Sequence, residues 1–83
     1  MLSQRGRYAI KALLCLARAD PEQLGVTAIA GREMIPRKFL EAIMTDLRKA
    51  GIVESTRGAA GGYRLARPAD LITFGEVIRL TDG

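Results

Sequence analysis

The segment from residue 36 to residue 51 constrains the fold of this chain more than any other, because its apolar residues recur at helical spacing. One side of the predicted helix is apolar and consists of Leu40, Ile43, Met44 and Leu47. The opposite side and its flanks carry Lys38, Glu41, Ala42, Thr45, Lys49, Arg37 and Arg48. Proline suits the first turn of a helix and glycine suits the residue after its end, so Pro36 and Gly51 mark its limits. We therefore predict a helix over residues 36–50 with one buried and one exposed face.

Two further helices are predicted before this segment. The first spans Arg5–Ala19, with Ser3 as its cap, and ends at Asp20-Pro21 because the residue before proline avoids helical geometry. The second spans Val26–Glu33 and is separated from the amphipathic helix by a turn at Met34-Ile35. This short connection is typical of a helix-turn-helix.

A strand-like pattern follows the third helix. Residues 52–56 and 63–66 are predicted as two strands of a hairpin, joined by a glycine-rich segment, residues 57–62, that we call the wing. Arg57 and Arg64 flank its glycines with positive charge. Thr73 and Glu76 then have the spacing of a capping box, which predicts a fourth helix that runs to Asp82. The predicted fold is mainly α with a small β-hairpin: a winged helix-turn-helix of three helices, a two-stranded wing and a further helix.

Length and composition limit the possible functions. The 83 residues suffice for one domain, residues 1–83, and the net charge of +4 with a pI of about 9.8 favours a polyanionic partner. With one cysteine and no histidine the chain has no disulfide framework and no soft metal site, and Cys15 is expected in the core. The scattered carboxylates suggest no general acid and base, so we expect no enzyme. With no apolar opening run for a signal peptide or membrane span, we expect a cytoplasmic protein.

Two interpretations of the basic helix are open at this point. A basic amphipathic helix alone is usually a solvated surface, and a winged helix can also be a protein-interaction module. A docking helix would expose an apolar patch, whereas the outer face here has Lys38, Glu41, Thr45 and Lys49. The glycine run 58–62 lacks the lysine and hydroxyl residue of a phosphate-binding loop. The conjunction of a helix-turn-helix with a basic, glycine-rich wing favours binding to double-stranded DNA.

Several short motifs, taken together, are specific enough to indicate a family. They are Gly6-Arg7-Tyr8-Ala9, Phe39-Leu40-Glu41, Leu47-Arg48-Lys49-Ala50-Gly51, Arg57-Gly58, Gly62-Tyr63-Arg64-Leu65-Ala66 and Glu76-Val77-Ile78. On these motifs the sequence resembles, over nearly its whole length, the Rrf2 family of bacterial winged helix-turn-helix transcriptional regulators.

The resemblance implies a dimeric transcription factor, usually a repressor, with helix 36–50 in the major groove and wing 57–62 in the neighbouring minor groove. Glu41 matches a glutamate that can accept a hydrogen bond from a cytosine amine, and Arg57 matches the wing arginine that enters a narrow minor groove. The residues implied at the bases are Lys38, Glu41, Ala42 and Arg57. Those implied at the DNA backbone are Arg5, Arg7, Tyr8, Arg37, Thr45, Arg48, Lys49, Gly58, Gly61, Gly62 and Arg64.

Three departures from the family pattern affect these expectations. Ala42 stands where many relatives have a polar residue, so we expect a different operator, and Ala59-Ala60 replaces a proline-glycine pair in the wing. The family's dimerisation helix, and the cysteines with which some members hold an iron-sulphur cluster, would lie beyond Gly83. We therefore expect no cofactor in this chain and a homodimer in the full-length form.

Overall fold

A computed structural model of the chain describes residues 2–58 and 61–83. The elements follow one another as α1 (Gln4–Ala19), α2 (Val26–Glu33), α3 (Arg37–Lys49), β1 (Val53–Thr56), β2 (Gly62–Leu65), a 3-10 turn (Ala69–Leu71) and α4 (Phe74–Asp82). This order of three helices, a hairpin and a helix confirms the predicted architecture. The 3-10 turn was not predicted.

The helix ends follow the capping residues, with small shifts from the prediction. Ser3 Oγ accepts a hydrogen bond from the Gly6 N–H at 3.0 Å, and α1 begins at Gln4, one residue earlier than predicted. The placement of Pro36 within the first turn of α3 was wrong by one residue. Pro36 has ψ 128° and is the N-cap, where its carbonyl accepts the first helical hydrogen bond from Leu40 at 3.1 Å. Gly51 ends α3 with φ 77°, as predicted.

The turn between α2 and α3 consists of Met34, Ile35 and Pro36, the short connection that the sequence predicted. Met34 lies in the left-handed region at φ 57°, which costs a side chain roughly 1 kcal/mol relative to glycine. Its side chain is 83% exposed, so it meets no steric obstacle in the core. The Ile35 N–H donates to the Ala30 carbonyl at 3.1 Å and closes the turn.

The core lies between α1, α2 and α3. All four residues of the predicted apolar stripe of α3 are buried, and Ile29 of α2 is fully buried beside them. Cys15 is also buried, as predicted, and burial together with the nearby Glu33 carboxylate raises the pKa of its thiol. The rotation of α3 about its axis is therefore fixed, because its apolar stripe can face only this core.

The hairpin is antiparallel, with Val53 opposite Leu65 and Thr56 opposite Gly62. Each strand is shifted by one residue or less from its predicted bounds, and Gly62, assigned to the wing, belongs to β2. Leu24, which lies between α1 and α2, exchanges two backbone hydrogen bonds with Tyr63, at 2.7 and 3.0 Å. The hairpin is thus anchored to the segment before α2. The predicted wing positions Ala59 and Ala60 lie outside the described residues.

α4 begins with the predicted capping box. Thr73 Oγ1 accepts a hydrogen bond from the Glu76 N–H at 3.1 Å, and the Glu76 carboxylate accepts one from the Thr73 N–H at 2.9 Å. At its other end, Asp82 accepts hydrogen bonds from the backbone and side chain of Ser3. α4 therefore holds the start of α1 in place.

Candidate nucleic-acid interface

The outward face of α3 carries most of the residues predicted to meet DNA. Lys38, Glu41 and Ala42 are exposed on it, as are Arg37, Arg48 and Lys49, whereas Thr45 is half-buried. This face is exposed because the apolar stripe on the other side of the helix is packed into the core. The helix thus presents charged side chains to the solvent.

Glu41, the predicted cytosine reader, forms an ion pair within α3. Arg37 Nε lies 3.5 Å from a carboxylate oxygen of Glu41, one helical turn away, and both side chains are more than half exposed. A pair this exposed contributes little to stability, so the carboxylate can accept further hydrogen bonds. A carboxylate has no donor, which restricts it to base edges that present an N–H.

Thr45 uses its hydroxyl within the helix. Its Oγ1 donates a hydrogen bond to the Glu41 carbonyl at 2.9 Å. The hydroxyl proton is therefore engaged, while its lone pairs can still accept a hydrogen bond. The predicted contact of Thr45 with the DNA backbone stays a prediction.

A cleft of about 430 Å³, which we call the α1–α3 cleft, brings predicted residues from two helices together. It is lined by Gln4, Arg5, Tyr8, Lys38, Phe39, Ala42 and Ile43. Arg5 forms an ion pair with Asp46 of α3, and the Gln4 side chain donates to the Tyr8 hydroxyl at 3.0 Å. Arg7, also predicted at the backbone, is exposed on α1 but does not line this cleft.

Phe39 was not among the predicted site residues, although it lines the α1–α3 cleft with its side chain 58% exposed. The sequence feature that could have identified Phe39 is its position one residue before Leu40, where the apolar stripe of α3 begins. An aromatic residue off the apolar stripe of an amphipathic helix faces solvent or a groove, not the core.

Two glycines, Gly61 and Gly62, lie so close to backbone atoms of the same chain that a side chain would not fit at either position. A Cβ atom at Gly61 would lie 2.8 Å from the Arg57 carbonyl carbon, and one at Gly62 would lie 2.7 Å from the Leu24 carbonyl carbon. Gly58 differs, because it has φ 103° and a Cβ atom there would meet nothing within 4 Å. At Gly61 and Gly62 the missing side chain therefore makes room for backbone atoms of the same chain. The predicted DNA contacts of all three glycines stay predictions.

The two arginines that flank the wing glycines lie in different surroundings. Arg57 is exposed directly after β1. Arg64 Nε donates to the Glu54 carboxylate across the hairpin at 2.6 Å, in a second cleft that Asp20 and Pro21 also line. The structure thus places Arg64 beside the end of α1 and not in the α1–α3 cleft. The Glu54 carboxylate offsets the positive charge of Arg64. Arg57 is therefore the stronger candidate for contact with a polyanion.

Several basic residues of the candidate interface form no ion pair in the part of the chain that the structure describes. No ion pair is found there for Arg7, Lys38, Arg48, Lys49 or Arg57. Unneutralised cations on a protein surface attract a polyanion and release its counterions on binding.

Comparison with known proteins gives the family. A family model described as Rrf2, iron-dependent transcriptional regulator, matches residues 2–83. The chain belongs to the Rrf2 family. It is 45% identical over 87 residues to an rrf2-like HTH-type transcriptional regulator of Rhodobacter capsulatus, and 40% identical over 84 residues to the HTH-type transcriptional regulator IscR of Cereibacter sphaeroides. These matches cover 100% and 98% of this chain but only 58% and 54% of the relatives. The chain thus spans about half the length of the relatives it matches.

Solved structures of Rrf2 regulators confirm the winged helix-turn-helix. The chain matches T. potens IscR with a TM-score of 0.92 at 38% identity, covering 100% of this chain and 61% of that one. It matches CymR, the global cysteine regulator of B. subtilis, with a TM-score of 0.94 at 36% identity, covering 100% and 65%. These relatives are named as regulators, with the Cereibacter sphaeroides IscR described as an HTH-type transcriptional regulator.

The family description includes iron, but the residues of this chain do not fit an iron site. The sequence has one cysteine and no histidine, and Cys15 is buried on α1 with a raised thiol pKa. No group of three potential ligands is found among residues 2–58 and 61–83.

The same residues include no helix with the length and hydropathy needed to cross a membrane.

Proposed function

We propose that this chain is the sequence-specific DNA-binding domain of an Rrf2 transcriptional repressor, with α3 in the major groove and wing 57–62 in the adjacent minor groove. The observation that carries the proposal is the pairing of an exposed, basic face on α3 with an exposed arginine at the start of the wing. A helix is the element that fits a major groove, and an arginine suits a narrow, electronegative minor groove.

In this proposal two kinds of contact have different effects. Lys38, Glu41, Ala42 and Arg57 meet the bases and set the sequence preference, with Glu41 accepting a hydrogen bond from a cytosine amine. The remaining polar and basic residues, together with the wing glycines, hold the DNA backbone and set the register without reading sequence. These are Arg5, Arg7, Tyr8, Arg37, Thr45, Arg48, Lys49, Gly58, Gly61, Gly62 and Arg64. Arg5 and Arg64 must share their charge with Asp46 and Glu54.

We further propose that a longer, homodimeric form of this cytoplasmic regulator reads two half-sites. The support is that the chain spans only about half of each relative and contains one winged helix. Linking two reading domains raises affinity through effective concentration, so the isolated domain is expected to bind one half-site weakly. The domain has no cofactor of its own in this proposal, since its single thiol is buried.

The test is a selection of duplexes from a randomised library by the 83-residue protein, followed by fluorescence anisotropy of the selected duplex at several salt concentrations. Affinity should fall steeply with salt, with a logarithmic slope of about −0.9 for each phosphate neutralised. Lys38→Glu should weaken binding, whereas Arg79→Glu, a charge reversal on exposed α4 surface, should change it far less. A flat salt response by protein whose circular dichroism shows a folded chain would reject the proposal.

One observation favours the second candidate, a protein-interaction module. Phe39 exposes an aromatic ring on α3, which is the sign expected of a docking helix. Its neighbours in the α1–α3 cleft include Arg5 and Lys38, so the surface is amphipathic and better matched to DNA. Binding to a protein without any salt-dependent binding to duplex DNA would support this alternative.

A further inference from the structure

The exposed face of α3 has an apolar patch that includes Ala42, the residue after Glu41. Ala42 is exposed, Phe39 is 58% exposed, and both line the α1–α3 cleft, while Glu41 lies next to Ala42 in sequence. The methyl group of Ala42 can neither donate nor accept a hydrogen bond. A base edge placed against this patch therefore gains only from apolar contact.

The neighbouring hydroxyl, on Thr45, does not supply a donor to a base held against Ala42. Thr45 lies one turn beyond Glu41 on α3, and its hydroxyl donates to the Glu41 carbonyl at 2.9 Å. A base carbonyl held against Ala42 would lose its water partners without replacement by this hydroxyl, which is unfavourable. In the major groove one base presents an apolar group instead, since thymine carries a 5-methyl group there.

Cations position the DNA over this patch. Lys38 precedes Ala42 by one helical turn, and both line the α1–α3 cleft with Arg5. A contact from Arg5 to a phosphate and one from Lys38 to a base would hold one strand along the cleft, with a neighbouring base edge against Ala42. The apolar patch and Glu41 thus both lie on exposed surface of α3.

We infer that Ala42, with the ring edge of Phe39 beside it, reads the 5-methyl group of a thymine next to the cytosine that Glu41 reads. The inference rests on the proposed function and specifies the half-site for that function. It makes the chain selective for a methyl group in the major groove and not only for hydrogen-bonding groups.

The experiment uses the duplex selected from the randomised library and replaces each thymine in turn by deoxyuridine, which lacks only the methyl group. At the thymine that contacts Ala42, deoxyuridine should weaken binding of the unmodified protein about fourfold, the effect of one methyl group removed from a buried contact. Deoxyuridine at the other positions should leave affinity unchanged.

Two variants assign the effect to this patch. Ala42→Gly removes the methyl group of the protein and should abolish the difference between thymine and deoxyuridine, as expected of a direct contact. Lys38→Ala should weaken both duplexes equally and leave the difference intact. Circular dichroism confirms that each variant is folded, and the deoxyuridine scan on the unmodified protein needs no variant.

Equal binding of thymine and deoxyuridine duplexes at every position overturns the inference while leaving the proposed function in place. A selected half-site without thymine overturns it as well. Failure to select or bind any duplex overturns both. A fourfold loss that persists in Ala42→Gly shows that another residue reads the methyl group and also overturns the assignment to Ala42.

Discussion

Arg67 and Glu76 form a bidentate ion pair, with guanidinium-to-carboxylate distances of 3.0 and 2.8 Å. The pair joins the segment after β2 to the first turn of α4, where the Glu76 carboxylate also accepts the Thr73 N–H. Because α4 in turn contacts α1, this one carboxylate couples the hairpin to the helical core. Both side chains are partly exposed, at 33% and 25%.

The Glu76 carboxylate predicts a stability that depends on pH. Hydrogen bonds from Arg67 and then from the Thr73 backbone lower its pKa from 4.5 to about 2. A pKa lower in the folded than in the unfolded chain contributes stability that is complete above pH 4.5 and is lost as pH falls toward 2. Glu76→Gln should therefore lower the free energy of unfolding at pH 7, and the difference from the unmodified protein should narrow by pH 3. Urea denaturation at the two pH values measures it.

The control for that measurement is Glu22→Gln, which changes an exposed carboxylate in the loop between α1 and α2. It should have a much smaller effect at either pH. If Glu76→Gln lowers the free energy of unfolding by the same amount at pH 7 and pH 3, the proposed dependence of stability on Glu76 ionisation is contradicted.

Glu41→Ala should relax base preference more than it weakens overall binding. The carboxylate discriminates by accepting one hydrogen bond, so its loss should remove roughly 1–3 kcal/mol of preference at one base pair. The measurement is competition anisotropy with duplexes that vary each position of the selected site. Glu22→Ala is the charge-matched control. An equal loss on every sequence would show that Glu41 does not read a base.

Arg57→Ala should weaken binding to the selected duplex by roughly 1–3 kcal/mol, since a guanidinium in a narrow minor groove makes contacts that alanine cannot replace. Arg57 directly follows β1 and is the first residue of the wing. Arg79→Ala removes the same charge from α4 and separates a local contact from a general loss of positive charge. Comparable affinities for the two variants would exclude a specific role for Arg57.

Replacing glycine by alanine should have opposite effects on stability at positions 62 and 31. Gly62→Ala places a Cβ 2.7 Å from the Leu24 carbonyl carbon and must displace the backbone pairing of Leu24 with Tyr63, which should destabilise the fold by about 1–3 kcal/mol. Gly31→Ala, on α2, meets nothing within 4 Å and should stabilise the fold by about 0.5–1 kcal/mol because alanine favours helices. Thermal unfolding of both variants measures the two signs. An unchanged melting temperature for Gly62→Ala would contradict this prediction, because the pairing of Leu24 with Tyr63 would then have adjusted to the added methyl group.

The α-helices could be predicted closely from the sequence because their signals are local. The apolar stripe of α3, the Ser3 cap and the Thr73–Glu76 capping box each operate within a turn or two of chain. The pairing of Leu24 with Tyr63 has no such signal, since it depends on two segments 39 residues apart meeting through backbone atoms. Phe39 was missed for a related reason, because a cleft exists only once α1 lies beside α3.

The sequence alone determined that a helix with one apolar and one basic face is followed by a glycine-rich hairpin, because periodicity, caps and turn residues act over short distances. Tertiary structure decided which charges remain available to a partner. Arg5 and Arg64 form ion pairs with Asp46 and Glu54 in the folded chain, whereas no ion pair is found for Arg57 among the described residues. The physical reason is that ion pairing depends on distances between side chains, and those distances are set only when the helices and the hairpin pack together.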